Sequence, residues 1–309
     1  MAAKEKNFIS AVIYLSGEED GVNPFLSTLC PLLEARFASY ELIFVEDASR
    51  DASEERVKEF LAQMENPPSV TMIHMSLKQG KEVAMNAGID MAIGDFVYEF
   101  DSVYMPYPVE MMEKAYETCL AGNDIVTVSP GKNRNMVSGL FYSVFNANSK
   151  SKYKLQTDSF RLLSRRAINR VRSISDTMPY RKAAYAASGL KISTLTFSSK
   201  LAKGKKGEDM RLSKAVDSLA LYTNVGYRVA FGISMLMLLL MLAALVYTVV
   251  VFLGGVNPVP GWTTTMLLLT GGFFGMFLLL TIVLKYMSLL VGLVFKKQQY
   301  LVESIEKIT

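Results

Sequence analysis

Glu18, Asp47 and Asp101 each stand where a short β-prone run ends and a loop begins. Carboxylates in that position hydrogen-bond a nucleobase or ribose, or ligate a metal ion. The same residue types cap helices, and Asp51 or Ser53 ahead of Glu54-Glu55 has that pattern. His74 closes the third β-prone run without a visible partner and reads as structural. Cys30 and Cys119 fall inside predicted helices and make neither a disulfide framework nor a zinc pattern, which points to a reducing compartment.

The elements that must position these acids alternate regularly. Ile9 to Leu15, Glu41 to Val45, Val70 to Ile73, Phe96 to Phe100 and Asp124 to Val128 read as strands. Between them, about Asn23 to Ala35, Ala52 to Met64, Lys81 to Ala92 and Pro108 to Ala121 read as helices. Strands alternating with helices of this length imply βαβ units and a mainly parallel sheet. Ligands of such sheets bind beyond the C-terminal strand ends, which selects the loops Ser16 to Gly21, Glu46 to Asp51, Ser76 to Gly80 and Asp101 to Pro108.

The last third of the chain has a different solvent. Val229 to Leu284 contains no Asp, Glu, Lys or Arg. Two apolar runs, about Val229 to Leu253 and Met266 to Leu284, flank a turn-rich segment with Pro258, Pro260 and Trp262. Each reaches the roughly 20 residues that cross a hydrocarbon core of about 30 Å. Arg211, Lys214 and Arg228 precede the first run, and Lys285, Lys296 and Lys297 follow or end the second, whereas the connecting loop carries no cation. The positive-inside rule then places the large domain and both termini in the cytoplasm, with Lys285 able to snorkel. Glu208 to Thr223 is either an interfacial helix on the bilayer or a helix packed on the domain. The expected organisation is an α/β domain over 1–205, a juxtamembrane amphipathic helix over 206–228, two transmembrane helices over 229–295 and a cytoplasmic tail over 296–309. The net charge of +4 is too small for a nucleic-acid binder but suits anionic head groups.

The order of motifs resembles family 2 glycosyltransferases of the polyprenyl-phosphate type, over nearly the whole chain. Ser10 to Glu19 matches the family's opening strand and its Pro-x-Tyr-Asn-Glu-Glu loop, of which the glutamates remain. Phe44-Val45-Glu46-Asp47-Ala48-Ser49-Arg50-Asp51 matches the Val-Asp-Asp-Gly-Ser-x-Asp loop. Gly80-Lys81-Glu82 through Gly94-Asp95 matches the family's Gly-Lys-Glu helix and Gly-Asp turn, and Phe160-Arg161-Leu162 its Phe-Arg-Leu segment. The resemblance implies a nucleotide-diphospho-sugar transferase (GT-A-like) α/β fold with two C-terminal transmembrane helices. It implies Glu18, Asp47 and Lys81 at the nucleotide, Asp101 and Asp158 in catalysis, and Lys132, Arg134 and Arg161 at an acceptor phosphate, with Arg166 a weaker candidate. It further implies Asp101 as ligand of Mg2+ or Mn2+.

The chain departs from that family at the metal. The family's Asp-x-Asp is Asp101-Ser102-Val103, and Met105-Pro106 replaces the following Gln-Asp. A valine cannot ligate magnesium, and a leaving diphosphate still needs its charge stabilised. The carboxylate before Phe-Arg-Leu is also displaced by one position, at Asp158, and on a strand one step turns a side chain to the other face.

Two functions follow. One is transfer of a sugar from a nucleotide-sugar to a polyprenyl phosphate on the cytoplasmic leaflet. The other is a catalytically degenerate relative that binds lipid phosphate or a partner membrane protein. Expected partners are the nucleotide-sugar, the lipid phosphate and the membrane, with no nucleic acid. Gly271, Gly272 and Gly275 permit close helix packing in a homo-oligomer.

Overall fold

The computed structural model describes residues 4–49, 51–131, 153–174, 180–198, 261–295 and 300–309, with isolated positions between 139 and 147 and between 232 and 243. The chain forms two compact units, Met1–Ser218 with Lys297–Thr309, and Leu219–Lys296. Lys132, Arg134, the juxtamembrane stretch 206–228 and most of the first apolar run lie outside the described residues.

In the first unit the elements are β1 (Ile9–Leu15), α1 (Glu19–Arg36), β2 (Tyr40–Glu46), α2 (Ser53–Ala62), β3 (Ser69–Met75), α3 (Lys81–Met91), β4 (Phe96–Phe100), α4 (Glu110–Leu120), β5 (Ile125–Ser129), β6 (Phe160–Ser164), α5 (Arg165–Ile174), α6 (Arg181–Ala187) and β7 (Ile192–Thr196). The second unit contributes α7 (Trp262–Phe295), and the chain returns to the first unit for β8 (Val302–Lys307).

One eight-stranded sheet results, in the order β7-β5-β6-β4-β1-β2-β3-β8. β1 pairs in parallel with both β2 and β4, β2 with β3, and β5 with β7. β6 and β8 run antiparallel to their neighbours. The sheet is therefore mainly parallel, as the alternation implies. All seven residues of β1 are buried, as expected of a central strand covered by helices on both faces. Gly88 lets α3 lie close on the sheet, since a Cβ there would come within 2.4 Å of Val12 Cγ1 and 2.7 Å of Val45 Cγ2.

Strand order reverses at β1, whose neighbours β2 and β4 leave a crevice at their C-terminal ends. The loops after β1 and β4 meet there. Two sequence expectations need correction. Within the stretch 296–309, expected as a tail, Val302–Lys307 forms β8 at the sheet edge against β3. His74, read as unpartnered, has Nδ1 3.6 Å from Glu46 and 3.8 Å from Glu54, and Nε2 3.8 Å from Glu306 on β8. Cys30 and Cys119 do lie in helices, α1 and α4. Burial, first of all, pushes both thiols up to about 12, so neither is a nucleophile at neutral pH.

In the second unit the second apolar run is helical over the 34 residues of α7. Counting described residues alone, no helix is long and apolar enough to cross a membrane. Parts of α7 fall outside that count. Gly275 packs against Met237 of the first run, where a Cβ would come within 2.7 Å of the Met237 side chain. This glycine serves contact within the unit, and among the described residues nothing approaches a Cβ placed on Gly271 or Gly272 within 4 Å.

Candidate active site

Glu18 stands in the loop after β1, at the β1/β4 switch point. Its carboxylate accepts from Ser102 Oγ at 2.8 Å and from the Val103 backbone N–H at 2.9 Å. Glu18 therefore ties the loop after β1 to the loop after β4. Val103 points into the core, 2% exposed, with Cγ2 2.7 Å from where a Cβ on Gly21 would stand. An acid at this position would enter apolar surroundings unpaired.

Asp47 is fully buried. Oδ1 accepts from Gln79 N–H at 2.8 Å, and Oδ2 accepts from Gly80 N–H and from the Tyr14 hydroxyl, each at 2.9 Å. These bonds hold the turn that launches α3, where Gly80 takes φ +88°. Lys81 follows as the first residue of α3, so Asp47 fixes where Lys81 emerges. Beside it, Ala48 takes φ +48°, where the resembling loop has glycine. L-residues pay about 1–2 kcal/mol in that region. We expect Ala48→Gly to stabilise the domain by about 1 kcal/mol in urea unfolding, after the entropic cost of glycine; a destabilisation would show that the Ala48 methyl group packs usefully.

Asp51, considered as a helix cap, instead gathers the Ser49 and Ser53 hydroxyls. Burial would raise its carboxyl, but those hydrogen bonds outweigh burial and hold it below the usual range.

The centre of the site is a buried charge cluster. β4 and β6 pair so that Glu99 lies directly opposite Arg161. The Arg161 guanidinium donates to Glu99 Oε2 at 2.6 Å, to Asp101 Oδ2 at 2.5 Å and, through Nε, to Asp158 Oδ2 at 3.0 Å. A second guanidinium comes from the start of α6. Arg181 donates to Asp101 Oδ1 at 2.7 Å, to Glu99 Oε2 at 3.2 Å and through Nε to Glu82 Oε2 at 3.1 Å. Tyr185 donates to Glu99, and Lys182 pairs with Asp158. Lys81 Nζ stands 3.8 Å from Asp101 Oδ2.

Arg161 and Arg181 are 1% and 0% exposed, whereas Asp101 and Lys81 keep 14% and 21% of their side-chain surface. Burial alone would raise the Asp101 carboxyl, but Arg161, Arg181 and Lys81 hold it well below the usual carboxylate range. Glu82 is lowered in the same way, chiefly by Arg181 against burial. At Glu99 burial wins over both arginines and the carboxyl is raised.

These positions change two expectations. Arg161, expected at an acceptor phosphate, is enclosed and spent on three carboxylates. Asp158 does not turn away, because it precedes β6, which begins at Phe160, and strand alternation does not govern it. The structure brings Lys81, Asp101, Asp158 and Arg161 into one cluster, with Asp47 joined through Gly80 and Glu18 through Ser102. Arg166 stands apart, 77% exposed and 3.7 Å from Asp124. Sequence reasoning missed Glu82, Glu99, Arg181, Lys182 and Tyr185. The available signal was Glu99 within the apolar strand Phe96–Phe100, since a buried acid demands a cation.

The donor set does not suit a divalent ion at Asp101. One carboxylate is present, both its oxygens already accept from guanidinium groups, and Ser102 Oγ is committed to Glu18. Among the described residues, ligand spacing for a metal occurs at Glu54, His74 and Glu306 near the other edge of the sheet. There Lys58 Nζ already lies 2.8 Å from Glu54 and 3.0 Å from Glu306.

A mainly parallel sheet with acids gathered at the β1/β4 switch point is the arrangement of a ligand-binding α/β domain. The chain belongs to Glycosyl transferase family 2, whose profile matches residues 10–182, a span that includes Arg181 and ends at Lys182. Among curated proteins it is 25% identical over 195 residues to an uncharacterized glycosyltransferase of Synechocystis sp., covering 61% of this chain and 60% of that protein. It is 28% identical over 174 residues to the bactoprenol glucosyl transferase of Shigella phage SfV, covering 54% of this chain and 55% of that one. The chain thus aligns with a little over half the length of the curated relatives it matches. Glucosyl-3-phosphoglycerate synthase from Mycobacterium tuberculosis, solved with Mn2+, UDP and phosphoglyceric acid, shares the fold with a TM-score of 0.51 at 14% identity, covering 69% of this chain and 76% of that one.

Proposed function

We propose that this protein transfers a sugar from a nucleoside diphosphate to a polyprenyl phosphate, with the lipid acceptor presented at the cytoplasmic leaflet. The observation that carries the reading is the convergence of Asp47, Lys81 and Asp101 at the β1/β4 crevice, where this fold class holds its ligands. The name of the phage relative, a bactoprenol glucosyl transferase, supports a lipid-linked acceptor.

In this reading the acceptor phosphate oxygen attacks the anomeric carbon and the nucleoside diphosphate leaves. The acceptor is ionised at neutral pH, so no strong general base is required. Lys81, partly exposed beside Asp101, faces the donor's phosphates. Asp158 acts by positioning Arg161 and Lys182. Lys132 and Arg134 are the proposed contacts of the acceptor phosphate.

The two apolar runs are the proposed membrane anchor, with both termini cytoplasmic. Support comes from the uncharged stretch Val229–Leu284 and from the exposed apolar side chains of α7, among them Phe273, Phe274, Met276 and Leu280.

The test uses detergent-purified full-length protein with undecaprenyl phosphate and a panel of UDP- and GDP-sugars, the lipid product being read by mass spectrometry. The expected result is a glycosylated lipid phosphate with one donor, reduced about 100-fold or more in Lys81→Ala, as loss of one electrostatic contact to a leaving group commonly gives. Folded protein that yields no product with any donor would favour the degenerate relative, the reading to which the saturation of Asp101 by two arginines lends support.

A further inference from the structure

The geometry points to a donor site that works without a divalent ion, in which Arg161 and Arg181 occupy Asp101 in place of a metal and Lys81 is the cation left to meet the donor's phosphates. This rests on the reading that the site takes a nucleoside diphosphate sugar.

Space and ligand number argue first. Magnesium holds its oxygens at about 2.0–2.1 Å in a nearly ideal octahedron. At Asp101 the corresponding places belong to guanidinium nitrogens, 2.5 Å from Oδ2 and 2.7 Å from Oδ1. An ion would have to displace at least one of them. Neither arginine is free to leave, because Arg161 also serves Glu99 and Asp158, and Arg181 also serves Glu82 and Glu99. Val103, buried in the core, cannot add a ligand, and Met105 and Pro106 offer no carboxylate.

Charge argues next. Three cations, Arg161, Arg181 and Lys81, face the single carboxylate of Asp101. Counted with Lys182 and with Glu82, Glu99 and Asp158, which bind the same side chains, the cluster holds four cations and four acids, so it is balanced without an added ion. Glu99 is fully buried and Glu82 nearly so. Lys81 is the partly exposed cation of the three, and its 3.8 Å separation from Asp101 leaves it able to turn to a phosphate. Arginine side chains stay protonated across the working pH range, so Asp101 stays occupied without metal.

The test separates this proposal from the reading beneath it. Full-length protein in detergent is titrated calorimetrically with UDP and GDP, first in EDTA and then in excess Mg2+ or Mn2+. In parallel, Mn2+ alone is titrated into wild type and Asp101→Asn and followed by electron paramagnetic resonance. We expect the same nucleotide Kd with and without metal, within about twofold, weakened about tenfold or more in Lys81→Ala. We also expect the same Mn2+ isotherm for wild type and Asp101→Asn. Tightening of the nucleotide by about tenfold on adding metal, or a Mn2+ site present in wild type and lost in Asp101→Asn, would overturn the proposal. If neither nucleotide binds under any condition, the transferase reading fails, and the Mn2+ titration alone still decides whether Asp101 is a metal ligand. Should Asp101→Asn fail to fold, the EDTA comparison on wild type carries the decision.

Discussion

Replacing Arg161 by methionine will destabilise the sheet-containing unit by about 3–5 kcal/mol, the usual result of removing one partner from a buried ion pair. In a unit of this size that corresponds to a fall in melting temperature of about 10 °C, measured by circular dichroism or calorimetry. The size of the effect comes from what is left behind. Glu99 and Asp158, 0% and 2% exposed, lose a guanidinium donor together, and Asp101 loses one of the two that saturate it. Methionine fills a similar volume, so little of the loss is cavity formation. Arg161→Lys should recover only part, because an ammonium cannot reproduce the planar fork that reaches three carboxylates at once. A change below about 2 °C would mean that Arg181 and Lys182 suffice and that the cluster is not cooperative.

Asp47→Ala comes second. It strips the acceptor from two backbone N–H groups and a buried tyrosine hydroxyl. Unmet buried donors cost about 1–3 kcal/mol each and are not additive, so a total near 3 kcal/mol is expected. The functional effect should exceed the loss of stability. With the turn before α3 released, Lys81 is no longer placed beside Asp101, and nucleotide affinity should fall at least about tenfold. Asp47→Asn should lie between, since its amide oxygen can replace one carboxylate oxygen but its NH2 presents donors in place of the other. Nucleotide binding unchanged in a folded Asp47→Ala protein would show that the turn is held by other contacts and that Lys81 does not depend on it.

Much of this protein was legible in its sequence. The first five strands and four helices follow from alternating apolar runs of suitable length, because burial on both faces of a parallel sheet writes itself into local composition. The candidate loops follow from the strand ends, and Asp47, Lys81 and Asp101 do converge there. β6, β7 and β8 were not read as strands. β6 carries Arg161 at its second position where an apolar period is expected, β7 is largely polar, and half of β8 is charged.

What only the tertiary structure decided is who neutralises whom. The sequence contains Arg161 and Arg181 as two cations among 33 and offers no means of pairing them. The antiparallel register of β4 and β6 sets Arg161 opposite Glu99, and the start of α6 brings Arg181 to the same carboxylates from 80 residues beyond Asp101. Local patterning reports whether a residue is buried, because burial acts on each side chain separately. Ion pairing is a property of two residues whose distance is set by strand register and helix placement, so a site read as a weakened metal centre becomes, in three dimensions, one whose carboxylate is already satisfied by arginine.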